Sequence, residues 1–186
     1  MPVEKIVSEH RENMDKSVSY FEQELRGVRT GRASTGLVEN LKVDYYGSPT
    51  PLKQLANLAV PQPNSIVIKP FDPGSTSQIE KAIKNSELSI APIVEGNLIR
   101  LNIPDLSEER RQQLVTQVKN LGEKAKVSIR NVRKDAKKQL EKEEKDKTIT
   151  EDDLKMGVEQ LDDITRKHTD KVDELVKQKT DEIMQG

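Results

Sequence analysis

The chain has 186 residues, 34% of them charged and only 3% aromatic, with a formal net charge of −1. Leu, Ile, Val and Phe supply 47 of the 186, about a quarter, above the roughly one-fifth below which chains fail to fold. With no cysteine and two histidines, His10 and His168, disulfides, thiol catalysis and multi-histidine metal sites are excluded.

No apolar run approaches the roughly 18 residues of a membrane span. The N-terminal Met1-Pro2-Val3-Glu4-Lys5 has neither a signal peptide's apolar stretch nor a transit peptide's lack of acids. The expectation is a cytoplasmic, soluble protein.

The first element is a long helix. Val7, Met14, Val18, Phe21, Leu25 and Val28 recur at steps of three, four and seven, an apolar seam interrupted at Arg11. It is expected to end near Thr30-Gly31. The periodicity then changes. Leu41, Val43 and Tyr45 alternate with polar neighbours, Ser65-Ile66-Val67-Ile68 is short and β-branched, and Ile99, Leu101 and Ile103 alternate with Arg100 and Asn102. These predict three strands, punctuated by Gly47-Ser48-Pro49-Thr50-Pro51, Pro61-Gln62-Pro63 and Phe71-Asp72-Pro73-Gly74. A short helix is expected from Ser77, with Ile79, Ala82 and Ile83 inward. Tyr45 and Tyr46 are read as packing a strand end, with Gly47 in the turn.

A second long helix follows Ser107, an N-cap with Glu108 and Glu109 in the first turn. Its seam is Leu114, Val118, Leu121, Ala125, Ile129, Val132, Ala136 and Leu140. A third starts around Thr150, three residues before Asp153 in a relative of the capping box. It carries Leu154, Val158, Leu161, Ile164, His168, Val172, Leu175, Val176 and Ile183 inward. Three single-striped helices satisfy one another in a bundle. An oligomeric coiled coil is the alternative, but the short link from Leu140 to Thr150 suits an antiparallel pair within one chain. The fold class is α+β: an elongated antiparallel three-helix bundle from 1–30 plus 106–186, with a small β/α/β domain, 31–105, inserted. The chain crosses between them at Gly31-Arg32 and at Pro104-Asp105, where a hinge is expected.

The small net charge conceals segregation. Residues 110–140 hold ten Lys or Arg against two acids, and 141–186 hold nine against fifteen. On the second helix Lys119, Lys126, Arg130, Arg133 and Lys137 fall within roughly 40° of one line, forming a stripe about 27 Å long. Lys134 and Lys138 widen it, and Glu123 is the only acid of that helix near the line. Interspersed acids would mark a solvated face held by i,i+4 pairs; their scarcity favours phosphates as partners. An acidic protein partner and plain solvation stay open on spacing alone. With so few aromatics, recognition of backbone and shape fits better than base-stacking readers.

Catalysis has little to work with. There is neither a phosphate-binding Gly-rich loop nor a nucleophile elbow. The pairs Asp152-Asp153 and Asp162-Asp163 diverge by about 100° on a helix and are read as solvated. His168 lies on a seam and is read as packed. Arg29 and Arg32, flanking Gly31, are read as caps of the first helix or as bridges to the insert.

Arg29-Thr30-Gly31-Arg32-Ala33, Tyr45-Tyr46-Gly47 with Pro49-Thr50-Pro51-Leu52, Glu108-Glu109-Arg110-Arg111 and Arg130-Asn131-Val132-Arg133 closely resemble, in order, the signatures of the ribosome recycling factor family. The resemblance spans essentially the whole chain. It implies an L-shaped, non-enzymatic, monomeric factor with no cofactor, no metal, and no DNA or membrane partner. Its implied partners are the 50S ribosomal subunit, through 23S ribosomal RNA, and elongation factor G, whose GTP hydrolysis drives subunit splitting. It also implies RNA contact at Arg130 and Arg133. Arg110, Arg111 and Arg29 join the stripe as RNA-contact candidates.

Overall fold

The computed structural model describes residues 2–185. In chain order the elements are α1 (Pro2–Arg26), β1 (Lys42–Tyr45), β2 (Ser48–Pro51), α2 (Leu52–Leu55), β3 (Ala56–Gln62), β4 (Ser65–Pro70), α3 (Thr76–Lys84), β5 (Ile93–Glu95), β6 (Leu98–Asn102), α4 (Glu108–Lys145) and α5 (Glu151–Gln185). They make an α+β protein of two compact units, residues 2–24 with 116–180 and residues 25–115 with 181–185.

In the first unit, three helices bury one stripe each. Their directions follow from the contacts. Ser17 meets Ser128 and Gly122 sits beside Phe21, so α1 and α4 are antiparallel. Gly157 packs on Leu140 and Gly122 on Val172 and Val176, so α4 and α5 are antiparallel too. Asp15 reaches His168 while Val3 reaches Gly157, leaving α1 and α5 parallel. Met14, Val18, Phe21, Val118, Ala125, Ile129, Ala136, Leu140, Leu161 and Val172 are buried on these stripes. The seams therefore satisfy one another within a single chain.

Glycine permits the closest approaches. A Cβ at Gly122 would stand 2.6 Å from Val176 Cγ2, and one at Gly157 would stand 2.9 Å from Leu140 Cδ1. Gly122 is buried while the expected seam member Leu121 is only half-buried, so the α4 stripe shifts by one position there. The gap in the α1 seam is filled by His10, which is buried and holds the Ile6 carbonyl through Nδ1 at 2.7 Å.

Both N-caps form as their residues dictate. Ser107 Oγ accepts from Arg110 N at 3.1 Å. Thr150 N donates to Asp153 Oδ2 at 3.0 Å and Asp153 N donates to Thr150 Oγ1 at 3.1 Å, a reciprocal box of the kind that contributes about 1 kcal/mol. Asp153 is thus a cap rather than a merely solvated acid. Between α4 and α5 the chain turns within five residues through Lys147, at φ +59°, a left-handed end that satisfies helix carbonyls. The α1 helix stops at Arg26, four residues short of the expected end, because Gly27 is a weak helix former; Gly31 (φ +86°) instead supplies a left-handed turn beyond it.

In the second unit β3-β4-β6-β5 form an antiparallel sheet, and β1 and β2 a separate hairpin. Ile66 opposes Leu101 and Ile68 opposes Ile99. These four belong to one core with Ile79 and Ile83 of α3 and Val43 of β1, a row of cross-strand pairs that pins the register. Six strands stand where the alternation predicts three. Ser-Pro-Thr-Pro (β2) and a Pro-containing edge (β3) carry no strand signature and are made by their partners. The α3 helix begins one residue before Ser77, after a short 3-10 turn capped by Asp72, whose Oδ1 accepts from Gly74 N at 2.9 Å.

The β1–β2 loop is Tyr46-Gly47, with φ +50° and +83°, a two-residue turn that needs left-handed backbone at both places. Tyr45 packs against the core, but Tyr46 is 83% exposed; the turn keeps it off the core, with its ring edge-on to Tyr45 at 4.6 Å between centroids. Both phenols donate to Asp72 Oδ2, at 3.3 and 3.2 Å. The Tyr45 phenol is pushed up by burial and then by the Asp72 charge, and the Tyr46 phenol by its hydrogen bond to Asp72. Raised folded values mean that the stability these bonds lend is intact below the ordinary phenol range near 10 and is lost as pH rises through the raised values. Ultraviolet titration of phenolate formation should show Asp72→Asn bringing both groups to lower pH. An unchanged titration would remove Asp72 from this role.

Candidate nucleic-acid interface

Along α4, Lys119, Lys126, Arg130, Arg133 and Lys137 share one side of a straight helix, as the 3.6-residue period requires. They are not equally available. Lys119 and Arg130 are exposed and have no carboxylate partner among the described residues. Lys126 is 15% exposed and its ammonium lies 2.9 Å from both Glu123 and Asp173. Its hydrogen bonds to Asp173 and then Glu123 raise its pKa above the usual lysine value. Arg133 Nε donates to Asp162 at 2.6 Å, and Lys137 lies 4.0 Å from Glu141.

The expectation of a stripe nearly without countercharge is therefore corrected. Asp162 and Asp173 come from α5, and Glu123 and Glu141 from α4 itself. Angular position explains which cations are taken. Lys126 and Arg133 lean toward the side of the apolar seam that packs on α5, roughly 20–40° from Lys119, whereas Arg130 and Lys134 lean away from it. Asp162, read as solvated, is a cross-helix partner; Asp163 pairs with Arg166 on its own helix. His168 is half-buried, with Nε2 2.6 Å from Asp15 and Nδ1 2.7 Å from the Ile164 carbonyl.

Exposed ion pairs contribute only about 0–1 kcal/mol. Exchanging Asp162 for a phosphate at Arg133 costs little, whereas Lys126 would have to leave two carboxylates. The face thus presents Lys119 and Arg130 outright, Arg133 and Lys137 by exchange, and Lys126 mainly as a brace between α4 and α5.

A second cationic spot lies in the other unit. Arg29 is half-buried, Nη2 donating to the Pro104 carbonyl at 2.9 Å, and its Nε is buried without a hydrogen-bond partner. Burial and then the charge of Arg110 lower the Arg29 pKa from its ordinary value, as two neighbouring guanidiniums without an intervening carboxylate must. Arg110 is exposed, bonded to Gln113 at 3.0 Å. Arg111 is tied to the backbone, donating to the Leu106 and Met184 carbonyls at 3.4 and 3.0 Å.

A family model described as ribosome recycling factor matches residues 21–184. The ribosome-recycling factor of Oleidesulfovibrio alaskensis is 46% identical over 183 residues, covering 98% of this chain and 100% of the relative. The chain belongs to the ribosome recycling factor family. Among other recycling factors, that of Geobacillus kaustophilus is 43% identical over 181 residues, covering 97% of this chain and 98% of its own. A solution structure of a ribosome recycling factor superposes with a TM-score of 0.77 at 43% identity, covering 100% and 99% of the two chains. A second structure is similar with a TM-score of 0.67 at 38% identity, covering 98% and 99%. It is described as models for the T. thermophilus ribosome recycling factor and the E. coli elongation factor G bound to the E. coli post-termination complex.

Recycling factors are translation factors, not enzymes. In this member, no group of three or more His, Cys, Asp or Glu among the described residues is placed to hold a metal ion, and no described helix is long and apolar enough to cross a membrane. Of the residues expected at the crossings, Gly31 takes the left-handed turn and Arg32, Pro104 and Asp105 are surface positions. Arg29 reaches Pro104 within the second unit, tying the segment after α1 to the segment before α4. The acids missed on this cationic face are Asp162 and Asp173 of α5 and Glu141 of α4. The two on α5 were findable, since the tight turn at Lys147 sets an antiparallel register that brings Asp162 opposite Arg133.

Proposed function

We propose that this chain acts on the post-termination ribosome with elongation factor G and GTP, promoting its dissociation into subunits and release from mRNA. It contributes binding surface; the GTPase contributes the energy. The helical part, 1–30 with 106–186, docks on 23S ribosomal RNA of the 50S subunit through Lys119, Arg130, Arg133 and Lys137 on α4, with Lys126 bracing that face. Arg29, Arg110 and Arg111 extend the contact. The inserted part, 31–105, engages elongation factor G, and Gly31, Arg32, Pro104 and Asp105 serve as the hinge.

The observation that carries this reading is that α4 presents Lys119 and Arg130 on one side, about 16 Å apart along the helix, with no carboxylate partner among the described residues. A duplex RNA offers a row of charges, and no base reading is needed to bind it. The test is subunit splitting of purified post-termination ribosomes, followed by light scattering and sedimentation. Splitting is expected only with this chain, elongation factor G and GTP together. Intact ribosomes in the complete mixture would refute the proposal.

A further inference from the structure

We infer that the cleft between α1 and α4 in the first unit is a separate seat for one unstacked nucleotide of single-stranded RNA. Lys16, Ser17, Tyr20 and Glu24 line it from α1, and Lys124, Ala125 and Ser128 from α4, around about 490 Å³. That volume falls within the roughly 300–1,000 Å³ of clefts that hold small ligands.

The chemistry of the walls selects the occupant. Tyr20 is 64% exposed, while its neighbour Phe21 is fully buried. The chain has only five aromatic residues, two Phe and three Tyr, and this one is held at the surface on a rigid helix, where a free ring face serves as a stacking platform. Lys124 stands nearly level with it across the cleft, given that Ser17 meets Ser128 and Phe21 meets Gly122. Lys16 lies one turn away on the same face as Tyr20. Both lysines are exposed and neither has a carboxylate partner among the described residues. They supply positive charge on either wall for the two phosphates that flank a nucleoside.

The floor is made of small groups. Ala125 is buried, and Ser17 Oγ and Ser128 Oγ bond each other at 3.0 Å. They leave room for a sugar and offer it hydroxyls. Glu24 closes one end. Its carboxylate repels a phosphate there and accepts from an exocyclic amine, so a cytosine or adenine is favoured over uracil.

This seat is distinct from the α4 face described above, because Lys124 lies about 140° around the helix from Lys119. It rests on the reading of this unit as an RNA binder but not on the same side chains.

The chain has three tyrosines and no tryptophan, so tyrosine emission reports stacking directly. The probes are cytidylate and uridylate hexamers at low salt, with a hexaglutamate peptide for comparison. The cytidylate hexamer is expected to quench part of the emission and to bind more tightly than the uridylate. Tyr20→Ser should abolish that quench and weaken binding about five- to a hundredfold, the range of one aromatic–base stack, while Tyr20→Phe keeps the affinity. Lys16→Glu with Lys124→Glu should remove the Tyr20 quench at the same salt. Equal binding by Tyr20→Ser and the parent overturns the inference, as does equal quenching by hexaglutamate or an undiminished quench in the Lys16/Lys124 variant. Because no ribosome is present, failure here and failure of subunit splitting are read separately.

Discussion

Replacing Phe21 by alanine is expected to cost the helical unit about 3–5 kcal/mol. Phe21 is fully buried at a level where side chains of all three helices meet at Gly122. Gly122 of α4 lies against it, and Val172 and Val176 of α5 line the same place. Removing the ring loses its transfer free energy and leaves a cavity. Straight helices on three sides relax poorly into such a space, which places the cost in the upper range for core truncations. Against a whole-protein stability of about 5–15 kcal/mol, that is a large fraction. Urea unfolding followed by helical circular dichroism measures it, as a lowered midpoint with little change in slope. A loss below about 1 kcal/mol would mean that this layer of the bundle is not packed as described.

The helical part was largely legible in advance because long periodic seams and caps are local signals. Ser107 and the Thr150–Asp153 box mark the N-termini of α4 and α5 from residue type alone, and both caps form. The breaks in legibility have physical causes. His10 is a polar residue in a core position, made acceptable by its bond to the Ile6 carbonyl. Gly122 enters the α4 core because absence of a side chain, which no hydrophobic scale rewards, is what lets α5 approach. The small sheet was half legible. β4 and β6 carry β-branched alternation; β5 has the β-branched pair Ile93-Val94 but is only three residues long; β2 and β3 exist because partners supply their hydrogen bonds, and nothing within them says so.

The cationic face shows the same division. Its helical line was visible in the spacing, but its net field was not, because two of the counterions, Asp162 and Asp173, stand on another helix. Asp162 and Asp173 follow from the register only once the turn at Lys147 is known. Reading α4 in isolation therefore overstates its charge by the two cations that α5 neutralises, Lys126 and Arg133.

That difference gives the second large effect. Lys119→Glu combined with Arg130→Glu should weaken binding to the 50S subunit on the order of ten- to a hundredfold at moderate salt. Two phosphate contacts are lost and two repulsive charges are added. The slope of log affinity against log salt should fall by about one for each contact removed. Helicity and thermal midpoint should stay close to the parent, because both residues are exposed and make no ion pair among the described residues. Arg133→Ala is a different experiment. It removes a guanidinium and also frees Asp162, so a carboxylate appears on the face where a neutralised pair stood. The loss should therefore exceed that of Arg130→Ala, and Arg133→Ala with Asp162→Asn should recover part of it. If Arg133→Ala and the double variant bind alike, Asp162 has no part in setting the field. If the Lys119/Arg130 reversal binds ribosomes like the parent at every salt, this face of α4 does not touch RNA.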